Sequence, residues 1–182
     1  MHGGGEGFYG ALVLIRDAVD DDWARIYPFF AQIVAQGRTY AYPEGLGLDE
    51  ARPWWMESVP GRTVVALDAG VMLGSAKMGP NRPGRGSHVA TASFMVDPRH
   101  QARGVGRALG VHVIDWARAQ GYRSIQFNAV VETNTSAVAL WRVLGFDILA
   151  TVPDAFNHPD HGLVGLHVMF LDLSASDAKI SA

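Results

Sequence analysis

The stretch VDPRHQARGVGRALG, residues 96–110, constrains the fold more than any other part of the chain. It leaves an apolar run, passes a proline, and enters an apolar-periodic segment through Gly104 and Gly106. That order reads as strand, tight turn and helix in direct succession. The first N–H groups of a helix have no internal acceptors, and the helix dipole adds partial positive charge beside them. Glycines let a ligand approach that backbone closely, and Arg99, Arg103 and Arg107 bring positive charge. Such a turn suits a phosphate or pyrophosphate; the alternative is a plain junction with solvated arginines.

The flanking segments predict the rest of the fold. Strands are expected at 11–18, 62–69, 71–79, 87–97, 122–130, 146–152 and 163–173. The pair 62–69 and 71–79 is joined by a tight Asp-Ala-Gly turn, a hairpin signal. Helices are expected at 21–37, with Pro28 as a point of kinking, at about 48–58, at 104–120 and at 133–145. Gly37, Gly121 and Gly145 are placed as helix stops, and Thr133 or Asn134 as an N-cap. The pattern describes one mixed α/β domain over residues 11–173, with flexible ends at 1–10 and 174–182.

Composition excludes several classes. With no cysteine, a disulfide framework, a thiolate metal site and a cysteine nucleophile are all excluded, which fits a cytoplasmic protein. A formal net charge of -3 argues against a general nucleic-acid binder. No stretch reaches the roughly 20 apolar residues of a membrane span.

Three phosphate-binding patterns compete for the turn. A P-loop needs lysine and Ser/Thr after its second glycine, and here Arg107 and Ala108 follow Gly106. A Rossmann turn needs its third glycine at Leu109, and no acidic residue ends the next strand, where Asn128 stands. The third pattern, [QR]-x-x-G-x-[GA], is met by Gln101, Gly104 and Gly106. A second signature, N-x-x-A-x-x-[LF]-Y-x-x-x-G-F, is met at 133–146 by Asn134, Ala137, Leu140, Gly145 and Phe146. With both motifs at the right mutual spacing and a strand between them, the chain resembles the GCN5-related N-acetyltransferase (GNAT) family over residues 11–173.

The resemblance implies the acyl-CoA N-acyltransferase fold: a mixed, mostly antiparallel sheet, splayed between two parallel strands and flanked by helices. Those two strands would be 87–97 and 122–130, with acetyl-CoA as co-substrate lying in the opening. The backbone of Phe94, Met95 and Val96 would pair with the pantetheine arm, and an N–H near Val96 would polarise the thioester carbonyl. The amides from Ala102 through Arg103, Gly104, Val105, Gly106 and Arg107 to Ala108 would hold the pyrophosphate. Asn134 and Ala137, at the start of the second motif helix, carry over as pantetheine contacts.

Transfer would be direct, within a ternary complex, because a thiol acyl-enzyme is impossible. The chain departs from the family at Trp141, where tyrosine commonly serves as acid for the departing thiolate. An indole N–H can donate a hydrogen bond but cannot supply a proton, so Trp141 is either a contact to the sulfur or a core aromatic. Glu44, then Glu132, are the candidate bases, with solvated loop carboxylates as the alternative. Tyr40 and Tyr42, flanking Glu44, are candidate acceptor contacts. Asn128 is another, or else a cap for the strand–loop junction. His158, Asp160 and His161, in the loop NHPDHG, lack a fourth ligand, so no metal is expected.

The expected function is acetyl transfer to a small, amino-acid-like amine, with neither nucleic acid nor membrane as partner and a homodimer as the family's common state. A protein N-terminal or lysine acetyltransferase is one rival. A non-catalytic acyl-CoA sensor, suggested by Trp141, is the other.

Overall fold

The computed structural model describes residues 7–8 and 13–174; the remainder of the ends expected at 1–10 and 174–182 lies outside the described residues. The elements, in chain order, are β1 (Gly7–Phe8), β2 (Leu14–Asp17), α1 (Trp23–Ala35), α2 (Leu48–Trp55), β3 (Arg62–Asp68), β4 (Val71–Pro80), β5 (Val89–Val96), α3 (Val105–Ala119), β6 (Ser124–Val131), α4 (Thr135–Val143), β7 (Asp147–His158) and β8 (Gly162–Asp172). This is the expected mixed α/β class: the strands are mostly antiparallel, with one parallel pair, β5 and β6. The chain forms two compact units, one from residues up to Met78 plus Ser93–His112, the other from Gly79–Ala92 plus Val113 onward. β5 and α3 each run from one unit into the other.

In the first unit β2 pairs with β3 and β3 with β4, all antiparallel. Its core grows from the apolar stripe of α1. Trp23, Ile26, Phe29, Phe30, Ile33 and Val34 recur at helical spacing and pack with Ala51 and Trp55 of α2, Val65, Leu67, Met72 and Met95. Each large side chain buried this way contributes roughly 2 kcal/mol. Pro28 lies inside α1, which continues from Trp23 to Ala35 through the position where the sequence predicts a kink. The packed stripe on both sides of the proline compensates for the one intrahelical bond it removes.

In the second unit the β5–β6 register is Val89↔Ser124 and Ala90↔Ile125, the first two residues of each strand. β8 pairs antiparallel with both β6 and β7. α3 and α4 end at the expected glycines. Gly121 has φ 78° and Gly145 φ 96°, and each is followed by a bond back five residues, Tyr122 N–H to Ala117 O and Phe146 N–H to Trp141 O. β7 is longer than its expected range of 146–152. It runs to His158, so the loop expected at 157–162 shrinks to the turn between His158 and Gly162. The alternation that would have marked the extension is broken by a register shift between Val152 and Phe156, where Asp154 is left-handed at φ 52°.

Candidate functional site

Within the first unit β5 ends at Val96 and the chain enters the glycine turn. Asp97 is almost fully buried and shapes the exit: its carboxylate accepts the Arg99 N–H at 2.9 Å and a two-pronged contact from the Arg99 guanidinium, the shorter at 2.6 Å. That guanidinium, foremost, holds the Asp97 carboxyl below its ordinary pKa. Arg103 is also paired, with Asp68 Oδ2 at 2.7 Å. Two of the three arginines expected to charge the turn are therefore neutralised locally. Arg107 is exposed and has no ion-pair partner among the described residues.

The backbone of the turn does what the charges do not. Ala102 (φ 61°) and Gly104 (φ 76°) are both left-handed, the backbone conformation that recurs in nests able to accept an anion. The first α3 bond is Ala108 N–H to Gly104 O at 2.9 Å, so the amides of Val105, Gly106 and Arg107 precede the intrahelical ladder while Ala108's is already in it. Gln101 is exposed at the entrance of the turn. A Cβ on Gly104 would meet nothing within 4 Å. Gly74 on β4 is the opposite case: a Cβ there would lie 2.6 Å from Met95 O, 3.2 Å from Val96 Cα and 3.3 Å from Val105 Cγ1. Its missing side chain lets β4, the end of β5 and the start of α3 close together.

Strand alternation assigns the edges of β5. Asp97 N–H donates to Leu73 O at 2.9 Å, and Met95 O lies against Gly74, so the odd-numbered residues turn their backbone groups to β4. Phe94 and Val96 therefore turn theirs to the other edge. At Phe94 that edge is taken: Tyr40 Oη accepts the Phe94 N–H at 3.0 Å and donates to Phe94 O at 2.5 Å. Tyr40 belongs to the loop between α1 and α2. Tyr27 Oη to Leu46 O at 2.9 Å and Trp23 Nε1 to Leu48 O at 2.8 Å tie the far end of that loop to α1. Tyr40 stacks on Tyr42 at 5.1 Å, Tyr42 meets Trp54 at 5.4 Å, and Lys77 Nζ, paired with Glu57 at 3.1 Å, lies 5.9 Å from the Tyr42 ring centre. Glu44 is exposed in a turn of this loop, with no hydrogen bond or ion pair among the described residues.

The second unit holds the remaining expected residues. Asn134 is the N-cap of α4, its Oδ1 accepting the Ala137 N–H at 3.3 Å. Trp141 is buried, with T-shaped ring contacts to Phe127 at 5.0 Å and Phe146 at 6.2 Å. Glu132 is engaged twice with Gly165: its N–H donates to Gly165 O at 3.0 Å and its Oε1 accepts the Gly165 N–H at 2.5 Å. Asn128 is exposed within β6 rather than at its end, bridging Asn81 at 2.6 Å and Gln126 at 2.8 Å. His158 is buried, and its Nδ1 accepts the Asp160 N–H at 3.1 Å. Among the described residues no group of three His, Cys, Asp or Glu is placed to hold a metal, and no helix is long and apolar enough to cross a membrane.

The chain matches a known family. The model of the acetyltransferase (GNAT) family aligns with residues 18–146. The chain belongs to that family. A GCN5-related N-acetyltransferase from Kribbella flavida is 57% identical in sequence and superimposes with a TM-score of 0.86, over 89% of this chain and 98% of its own. The yncA protein of Salmonella typhimurium, solved with its cofactor acetyl-CoA, is 26% identical with a TM-score of 0.75, over 90% and 95%. The L-methionine sulfoximine/L-methionine sulfone acetyltransferase of the same organism is 32% identical over 91 residues, 50% of this chain and 53% of that protein. The chain spans about half the length, or less, of the curated relatives it matches.

Proposed function

We propose that this GNAT protein moves the acetyl group of acetyl-CoA to the amine of a small, amino-acid-like acceptor by direct transfer in a ternary complex. The observation that carries the reading is the turn at 102–107, where two left-handed residues lead into the first N–H groups of a 15-residue helix, which precede its hydrogen-bond ladder. A diphosphate suits that backbone, and a family relative solved with acetyl-CoA supports acetyl-CoA as the molecule that carries it.

The Val105, Gly106 and Arg107 amides would bind the pyrophosphate, helped by the Arg107 charge. Val96 N–H, at the end of β5, would hydrogen-bond the thioester oxygen as negative charge builds on it, where one such donor is worth roughly 3 kcal/mol. Glu44 is the carboxylate with open oxygens and is the proposed base for the acceptor amine; Glu132 has one oxygen committed to Gly165. Tyr40 and Tyr42 would border the acceptor. Asn134, Ala137 and Trp141 are proposed as pantetheine contacts on the family resemblance, with Trp141 packed as a core aromatic and unable to protonate a thiolate. A small acceptor is supported by the amino-acid analogues that name one relative.

The test is release of free CoA from acetyl-CoA, measured against amino acids and their analogues, polyamines, aminoglycosides and a peptide with a free N-terminus. Saturable release with an amino-acid-like amine is expected. Release with the peptide alone would replace the small acceptor by a protein. Tight acetyl-CoA binding with no release across the panel would replace the enzyme by a sensor.

A further inference from the structure

We infer that Tyr40 is a positioning residue: its hydroxyl closes the Phe94 position on β5 and leaves Val96 as the backbone donor presented to the thioester of acetyl-CoA. The inference deepens the acetyl-CoA reading above and rests on it.

In a β-ladder both backbone groups of a residue on a bonded edge are taken by the neighbouring strand. At Phe94 one phenol does the work of that strand, accepting the N–H and donating to the carbonyl. Met95 is turned to β4. Of the three residues that a resemblance to the family offers to the pantetheine arm, only Val96 then turns an N–H to that edge clear of Tyr40. The arm is thereby denied a purchase two residues early, which would carry the carbonyl past its donor.

The hydroxyl is held in place from several sides. The Tyr40 ring stacks on Tyr42 and meets Trp55 edge-on at 6.1 Å. Trp55 is fixed by Nε1 donating to the buried Ser75 Oγ at 2.9 Å, and Ser75 donates to Val64 O at 2.7 Å. Burial pushes the phenol above its ordinary pKa, so Tyr40 keeps its proton and its donor role, and is unsuited to act as a base. The same hydroxyl anchors the loop that carries Tyr42 and Glu44, so acceptor contacts and co-substrate register share one fixed point.

Residue-resolved amide exchange on the wild-type protein, with and without acetyl-CoA, is the first arm of the test. Acetyl-CoA should slow exchange at Val96 and leave Phe94, already protected, unchanged. The second arm is Tyr40→Phe, which keeps the ring and removes the hydroxyl. Phe94 exchange should rise about tenfold in the free protein, the size of losing the one hydrogen bond that holds its N–H. The rate kcat should fall about tenfold while Kd for acetyl-CoA stays within about twofold, the mark of lost register rather than lost binding. New protection of Phe94 in the wild-type complex overturns the inference, as does an unchanged kcat in Tyr40→Phe. A parallel fall of kcat, affinity and Tm marks a merely structural tyrosine and also overturns it. Should Tyr40→Phe not fold, the wild-type exchange arm decides alone. Failure of the wild-type protein to bind acetyl-CoA would instead sink the reading on which the inference stands.

Discussion

The glycine turn at 97–108 and the loop at 37–47 lie in the same unit and are built by opposite means. The turn is a backbone device: its form comes from two left-handed residues, a helix start and a buried Asp97 cap, all within a dozen residues. The loop is a side-chain device. Its anchors are Tyr40 reaching Phe94, Tyr27 reaching Leu46 and Trp23 reaching Leu48, and it has no regular backbone of its own. A backbone site tolerates changes that leave N–H groups in place and fails when charge or bulk enters it. A side-chain site fails one contact at a time.

Substitutions at Gly104 probe that distinction most sharply. Gly104→Glu should weaken acetyl-CoA binding on the order of 100-fold, since a carboxylate would enter the space meant for phosphate oxygens. Gly104→Ala meets no neighbour and carries only the left-handed strain of about 1 kcal/mol, so it should lower Tm slightly and hold affinity within a few fold. Equal affinities for the two variants, measured by calorimetry, would show that the turn is not the anion site.

Gly74→Ala comes next. Its Cβ would press on Met95 O and Val96 Cα, so part of β5 must move; a loss of about 1–3 kcal/mol is expected, read as a lower Tm. An unchanged Tm would mean that β4 and β5 have slack the close contacts do not suggest.

Asp97 supplies the smallest effect and a pH signature. Its folded pKa is depressed, so its stabilisation is present above the unfolded value of roughly 4 and is lost as pH falls through the lower folded value. Asp97→Asn should remove about 1 kcal/mol at neutral pH, the scale of a lost cap, and flatten the acid limb of the stability curve. A variant with the wild-type acid limb would assign that limb to other carboxylates.

The same contrast explains what was legible in the sequence. Motifs made of backbone are local, so Gln101, Gly104 and Gly106 marked the turn, and Gly121 and Gly145 marked helix ends that the structure places in left-handed caps. Helix α1 was legible from Gly37 as its stop, and its core stripe carries it through Pro28. Contacts between distant side chains leave no local trace. The partner of Arg103 is 35 residues away and that of Tyr40 is 54, so Arg103 read as charge for the turn and Tyr40 as an acceptor contact. Glu132 read as a candidate base or else a solvated loop carboxylate, and nothing near it in sequence announces Gly165. The length of β7 was hidden because a bulge interrupts its alternation.

The central claim is that the turn binds the pyrophosphate of acetyl-CoA. The most direct measurement is a pair of calorimetric titrations of the wild-type protein, one with acetyl-CoA and one with acetyl-pantetheine, which carries the thioester and arm without the pyrophosphate. Saturable binding of acetyl-CoA, with acetyl-pantetheine weaker by a factor on the order of 100, is the predicted result. Equal affinity for the two would contradict the account, because the turn would then contribute nothing to holding the co-substrate.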